Sequence, residues 1–279
     1  MKRLAVLGRP IAHSRSPAMH NAALRERGLD GEWSYEALDV GPEEFERFVL
    51  SMASEGFAGA NVTIPHKHSA LDLADQASEV ATGIGAANTL SFADGRIVAD
   101  NTDAPGLIGA LEEAGATPAG ARALVLGAGG AGRAAAWALR EAGARVTVAN
   151  RTAARAEALA DQLRVESRPL DAPDPLGGVD LLVNTTSVGL HSARKDSPGA
   201  DRDLKQLGFR ADDLHDRLVV VDMAYGPVET ELAAVAKARK LTTIDGLDIL
   251  VHQGAASFRL WTGIEPPMET MRRAAKTVT

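Results

Sequence analysis

A lysine at the carboxyl end of an apolar run is the first residue in this chain that invites chemistry. Gly59-Ala60-Asn61-Val62-Thr63-Ile64 reads as a strand, Pro65 suits the first turn of a helix, and Lys67 then falls in the opening helical turn. Ligand groups of α/β proteins gather at the carboxyl ends of strands. A lysine at a helix N-terminus opposes the helix dipole, so the position is unusual. An ordinary lysine titrates near about 10.4, and only desolvation lets one act as a base at neutral pH; a neighbouring carboxylate works the other way. The residue types leave three roles open: base, charged hydrogen-bond donor, or exposed lysine. Asn101-Thr102-Asp103 stands before Ala104-Pro105-Gly106-Leu107, where Asp103 suits a helix N-cap as well as a ligand. Ser16, placed before Pro17 in Ser14-Arg15-Ser16-Pro17, poses the same choice.

A second constellation lies beyond residue 120. Ala123-Leu124-Val125-Leu126 is a buried-strand run that enters Gly127-Ala128-Gly129-Gly130-Ala131-Gly132, a G-x-G-x-x-G followed by helix-forming Arg133-Ala134-Ala135-Ala136-Trp137-Ala138-Leu139. Strand, glycine turn and helix start in that order are what a dinucleotide pyrophosphate requires, because the helix offers free backbone N–H groups to the anion. The next strand, Arg145-Val146-Thr147-Val148-Ala149, ends in Asn150-Arg151-Thr152. Enzymes that use NAD place a carboxylate about 20 residues after the glycines to bind the ribose 2′-hydroxyl. Here Arg151 stands at that point, with Arg155 one helical turn on. Guanidinium groups there would pair with a 2′-phosphate, which favours NADP over NAD.

Composition narrows the class. The chain has 279 residues, 45% of them hydrophobic, with a formal net charge of −7. No global positive field exists to attract nucleic acid or acidic lipid. There are no cysteines, which excludes disulfides, thiolate metal sites and a cysteine nucleophile. Seven histidines are scattered without metal-ligand spacing, and no metal is assigned. No stretch approaches the ~20 apolar residues of a membrane span, and the N-terminal apolar run is too short for a signal peptide. A soluble, cytoplasmic protein is expected.

These residues need a scaffold, and the apolar pattern supplies one. Short apolar runs alternate with longer amphipathic ones, the mark of βα units around a parallel sheet. Strands are expected near 2–8, 33–38, 58–64, 122–127, 145–149, 179–184 and 218–223. Helices are expected near 16–28, 42–53, 65–81, 104–115, 130–142, 153–163, 228–239, 246–261 and 266–277. Residues 88–99 read as a hairpin turning at Asp94-Gly95. Segment 191–216 is charged and lacks a clear period, so it reads as a loop with some helix. Two α/β domains result, with the strandless C-terminal helices returning to the first.

Together these segments resemble the shikimate dehydrogenase family over nearly the whole chain. The likeness rests on Gly8-Arg9-Pro10-Ile11-Ala12-His13-Ser14-Arg15-Ser16-Pro17, Asn61-Val62-Thr63-Ile64-Pro65-His66-Lys67, Gly85-Ala86-Ala87-Asn88-Thr89 and Asn101-Thr102-Asp103. It continues through the glycine turn, Asn150-Arg151-Thr152, Asp222-Met223-Ala224-Tyr225-Gly226-Pro227 and Asp245-Gly246-Leu247, with Gln253 beyond. The resemblance implies a substrate-binding and catalytic α/β domain of residues 1–103 and 247–279, and a Rossmann-like NADP-binding domain of residues 104–246. It implies reversible NADPH-dependent reduction of 3-dehydroshikimate to shikimate, a step toward chorismate and the aromatic amino acids. Lys67 and Asp103 would be the catalytic pair. Ser14 and Ser16 would bind the substrate carboxylate, and Thr63, Asn88, Tyr225 and Gln253 its carboxylate or hydroxyls. NADP would contact Gly127, Ala128, Gly129, Gly130, Ala131, Asn150, Arg151, Thr152, Arg155, Thr185, Met223 and Gly246.

Some positions depart from the family's commonest wording. Ser187 and Leu190 stand where Pro and Met are frequent, segment 191–216 is longer than usual, and Asp248 replaces a residue that is more often small or apolar. All bear on the cofactor side. The nearest rival is a quinate or quinate/shikimate dehydrogenase, ranked second because the family members that favour quinate with NAD carry an acidic residue near Arg151 and a threonine at one of the paired serines. A reductase for an aminoshikimate-type acid stays open. A rival of another class is a non-catalytic NADP-binding sensor on the same fold, which would not need both Lys67 and Asp103. Oligomeric state is left open, a homodimer included.

Overall fold

Residues 1–189, 202–226 and 229–277 are described by a computed structural model, and they fall into two units: Met1–Gly106 with Leu250–Thr279, and Leu107–Ile249. The first unit opens with β1 (Lys2–Gly8), α1 (Ser16–Glu26), β2 (Trp33–Asp39), α2 (Pro42–Met52) and β3 (Phe57–Val62). It goes on through α3 (Lys67–Asp72), β4 (Gln76–Ala77), α4 (Glu79–Ile84), β5 (Thr89–Ala93) and β6 (Arg96–Asp100) to the start of α5 (Asp103–Glu113). Its sheet has the order β2-β1-β3-β5-β6-β4. β1 pairs in parallel with β2 and β3, whereas β5 runs antiparallel to both β3 and β6. Its apolar core is built from residues such as Leu7, Phe45, Val49, Val62 and Leu90, all buried.

This mixed sheet settles where side chains can meet. Because β5 is antiparallel to β3, the start of β5 lies at the carboxyl end of β3, with Asn61 opposite Thr89. The end of β6 reaches the same edge, with Thr89 opposite Asp100. Asn88, Lys67 and Asp103 therefore emerge on one side of the sheet.

The second unit holds β7 (Arg122–Leu126), α6 (Gly130–Glu141), β8 (Arg145–Ala149), α7 (Ala153–Leu163), β9 (Glu166–Arg168), β10 (Leu181–Asn184), α8 (Arg202–Gln206), β11 (Val219–Asp222), α9 (Glu231–Ala238) and β12 (Thr243–Asp245). Its sheet is wholly parallel, in the order β12-β11-β10-β7-β8-β9. In chain order this is 3-2-1-4-5-6 read from the β9 edge, the doubly wound nucleotide-binding arrangement. Alternate residues face opposite cores: Ala123, Val125, Leu181 and Val183 one way, Leu124, Leu126 and Leu182 the other. Burial on both faces is why these strands read as unbroken apolar runs. The chain leaves through α10 (Gly246–Thr262) and ends in α11 (Met268–Lys276), which packs on α1 within the first unit.

The hairpin expected at 88–99 is present, and Asp94 and Gly95 both adopt left-handed backbone. The single helix expected over 65–81 is not. Asp75 pairs with Ile97 through its backbone N–H and its carboxylate, which extends the chain as edge strand β4 along β6. Ser78 then caps a fresh helix by accepting from the Ala81 N–H at 3.1 Å. Pro65 lies in a turn closed by His66 N–H to the Thr63 carbonyl, so the helix starts at Lys67. β9 and β12 were not expected; three-residue edge strands are too short to show a period. Of segment 191–216, residues up to 201 lie outside those described; the remainder carries α8 and a 3₁₀ turn at Ala211–Asp213. Among the described residues no helix is long and apolar enough to cross a membrane, and no cluster of His, Asp and Glu could hold a metal ion.

His20 on α1 is fully buried, stacked on Tyr35 at 4.2 Å, and burial pulls its pKa down to about 3. Because the unfolded chain binds this proton near pH 6.5 and the folded chain does not, its contribution is intact above that pH and fades as pH falls toward 3. At pH 4.5 the penalty is on the order of 3 kcal/mol. His20→Phe should accordingly lose less stability than the wild type between pH 7.5 and 4.5 in urea unfolding. Equal losses would show that His20 does not carry the acid sensitivity.

Candidate active site

Lys67 Nζ donates to Asp103 Oδ2 at 2.5 Å. Both side chains are largely enclosed, 13% and 9% exposed. Asp103 opens α5 but does not cap it: Asn101 Oδ1 accepts from the backbone N–H groups of Asp103 and Ala104 at 3.1 and 3.3 Å. Released from capping, the Asp103 carboxylate serves the lysine with one oxygen and accepts from Asn88 Nδ2 at 2.8 Å with the other. Asn88 Nδ2 also faces Gln253 Oε1 at 3.2 Å. Gln253 comes this close because residue 106 is glycine; a side chain there would run into the Gln253 backbone. Four expected site residues, Lys67, Asn88, Asp103 and Gln253, thus form one connected group in the first unit.

Ser14 and Ser16 follow β1, the strand beside β3, and so belong to the same sheet edge. Ser16 is the first residue of α1 rather than its cap, and its N–H points to Ser14 Oγ at 3.4 Å. Thr63 sits against Gly8, with its methyl where a Gly8 side chain would be. No hydrogen bond among the described residues joins these three to the Lys67 group. Tyr225 lies in the loop after β11 in the second unit.

In the second unit the glycine turn occupies the crossover point between β7 and β10. Thr185, first residue after β10, donates its backbone N–H and its hydroxyl to the Leu126 carbonyl at 2.9 and 2.7 Å. Gly127 has left-handed backbone, φ +110°, and a Cβ on Gly132 would fall 2.1 Å from the Gly127 carbonyl oxygen. Gly129, by contrast, faces open space. The first and third glycines allow a tight turn under the helix, and the second leaves room for a phosphate to reach the backbone. Helix α6 has no side-chain cap and no acidic residue in its first turn, so its N–H groups are available to an anion.

Arg151 and Arg155 are exposed and, among the described residues, no hydrogen bond or ion pair engages either guanidinium; the Arg155 backbone N–H donates to the Thr152 carbonyl at 3.0 Å. Asn150, Arg151 and Ala153 line a cavity of about 300 Å³ together with Lys205 and Asp171. The residues present fit a nucleotide carrying an extra phosphate.

Sequence reasoning named Asn184 and Asp222 only as parts of motifs, and the structure gives them work. Asn184 is fully buried and donates to Asp222 Oδ1 at 2.9 Å. Its Oδ1 accepts from the N–H and hydroxyl of Thr186, and Asp222 accepts from Thr230 and the Ala224 N–H. Burial raises the Asp222 pKa, against the pull of these donors. Together they pin the loops that carry Thr185 and Met223. The signal was a polar residue ending each of two apolar strands.

Residues 6–90 match the shikimate dehydrogenase substrate binding domain, residues 110–250 the shikimate/quinate 5-dehydrogenase family, and residues 246–276 the shikimate 5′-dehydrogenase C-terminal domain. A shikimate dehydrogenase (NADP(+)) of Methylobacterium radiotolerans is 48% identical over 95% of this chain and 92% of its own. One from Methanopyrus kandleri is 42% identical over 97% and 93%. The crystal structure of shikimate 5-dehydrogenase from Thermus thermophilus in complex with NADP(H) and shikimate superposes with a TM-score of 0.86, at 43% identity and 99% coverage of both chains. With all but short stretches of its length matched to these models and relatives, the chain belongs to the shikimate dehydrogenase family.

Proposed function

We propose that this protein catalyses the reversible NADPH-dependent reduction of 3-dehydroshikimate to shikimate. The observation that carries the reading is the enclosed Lys67–Asp103 pair, bonded at 2.5 Å and braced by Asn88 and Gln253. A sensor that only bound NADP would have no use for it.

Residues 1–103 and 247–279 bind the substrate in this reading, and residues 104–246 bind NADP. Ser14 and Ser16 take the substrate carboxylate; Thr63, Asn88, Tyr225 and Gln253 take its carboxylate or hydroxyls. Each such hydrogen bond adds only about 0.5–1.5 kcal/mol, but an analogue that leaves a buried partner unmet loses more, which is how the pocket discriminates. The glycine turn from Gly127 to Ala131 would hold the pyrophosphate, and Asn150, Arg151, Thr152 and Arg155 the 2′-phosphate, with Thr185, Met223 and Gly246 completing the cofactor contacts. When bound, the reduced nicotinamide supplies a hydride to the carbonyl carbon. Lys67 Nζ supplies the proton to the carbonyl oxygen, and in the reverse direction takes it from the hydroxyl. Asp103 orients that ammonium, and Asn88 fixes Asp103. A cytoplasmic location is part of the proposal and fits a chain without cysteine.

The test is the initial rate for shikimate and quinate, each with NADP and NAD, followed by absorbance of the reduced cofactor. Fast turnover confined to shikimate with NADP is expected. Dominant quinate or NAD activity would move the assignment to a quinate/shikimate dehydrogenase, and silence in all four would sink the reading.

A further inference from the structure

Four polar side chains behind the Lys67–Asp103 pair take no part in the chemistry above, yet all are buried: Tyr35 is 3% exposed, Asn61 5%, Thr89 0% and Thr102 2%. Burying polar groups is costly unless each is hydrogen-bonded, and here every one is. The bonds also have a forced direction. Asn61 Nδ2 faces two acceptors, the Asn88 carbonyl at 3.3 Å and Thr89 Oγ1 at 3.1 Å, so the amide nitrogen must lie on that side. Asn61 Oδ1 therefore turns to the Tyr35 hydroxyl, which donates to it at 2.7 Å.

Thr89 Oγ1 accepts from Asn61 and has one proton to pass on. Thr102 Oγ1 lies 3.1 Å away as one acceptor, and itself donates to Asn88 Oδ1 at 3.2 Å. The other acceptor is Asn88 Oδ1, at 3.0 Å. The same oxygen accepts the Thr102 backbone N–H at 2.7 Å. By either route Asn88 Oδ1 is held on the Thr89–Thr102 side, which turns its nitrogen toward Asp103 Oδ1 and Gln253 Oε1. Tyr35 in turn is held by face-to-face stacking on His20, the rings parallel within 1°.

We propose that Tyr35, Asn61 and Thr89, one from each of β2, β3 and β5, are a positioning relay that keeps the Asn88 amide locked against Asp103 and so aims Lys67. Chains of hydrogen bonds in a dry interior strengthen one another, so the far end of the relay is felt at the near end. The proposal rests on the reading of Lys67 and Asp103 as the reacting pair.

Thr89→Val keeps the branched shape and removes both the donor and the acceptor, while Thr89→Ser keeps the hydroxyl. The Val variant should lower kcat about tenfold with the KM for NADPH unchanged, the Ser variant should restore kcat to within about twofold, and Tyr35→Phe should fall between them. Hydrogen exchange of the Asn88 side-chain amide, followed by NMR, should quicken in the Val and Phe variants only. Wild-type kcat in Thr89→Val, or equal losses in Val and Ser, would overturn the relay. If the wild type reduced no substrate, the functional reading would fail with the rate arm, and unchanged amide exchange in Thr89→Val would separately overturn the geometry.

Discussion

Lys67→Ala should lower kcat by roughly 10²–10⁴-fold, the range a positioned proton donor contributes, while leaving NADP affinity unchanged. Lys67 is not among the residues expected to hold NADP, which are those of the glycine turn and the stretch around Arg151, so the cofactor keeps its anchors. The variant also strands the enclosed Asp103 carboxylate, and an uncompensated charge of this kind destabilises by several kcal/mol. Activity must therefore be compared on protein shown to be folded at the assay temperature. A control comes from the pair itself. Groups that act as one unit are not additive, so Lys67→Ala combined with Asp103→Asn should lose about as much activity as the lysine variant alone. Turnover of Lys67→Ala within tenfold of the wild type would remove the lysine from the chemistry.

Arg151→Asp should reverse the cofactor preference. The guanidinium is exposed and, among the described residues, unpaired, with Asn150 and Thr152 beside it. A charge-assisted hydrogen bond is worth about 1.5–3 kcal/mol, and a carboxylate in its place adds repulsion toward the 2′-phosphate. The ratio of kcat/KM for NADP over NAD should fall by roughly 100-fold or more. NAD itself should be no worse bound, because an aspartate at this position can accept from the ribose 2′-hydroxyl. An unchanged ratio would mean that the 2′-phosphate lies elsewhere, with Lys205 in the adjoining cavity the next position to test.

The parts of this molecule that were legible in the sequence are those where a local rule and the fold agree. Strand β7, its glycines and α6 were readable because each glycine answers a local need, a left-handed turn at Gly127 and a close crossing at Gly132. The hairpin was readable from Asp94-Gly95 alone. The stretch 65–81 was misread because helical propensity in Ala70-Leu71-Asp72-Leu73-Ala74 hides a partner 22 residues further along the chain: β6 draws residues 76 and 77 into the sheet. Asp103 shows the same limit at the site. By local rules it is a good cap, and only the folded chain shows Asn101 taking that duty and freeing the carboxylate for Lys67. The Tyr35–Asn61–Thr89 contacts span three strands, and no spacing along the chain encodes them.

The most direct test of the central claim is the fate of the transferred hydrogen. The protein would be incubated with 3-dehydroshikimate and NADPH carrying deuterium at both positions of the nicotinamide C4, and the product weighed by mass spectrometry. Shikimate bearing a single deuterium on the former carbonyl carbon is the expected result. Product without label, or no shikimate at all, would contradict the assignment of this chain as an NADPH-dependent reductase of 3-dehydroshikimate.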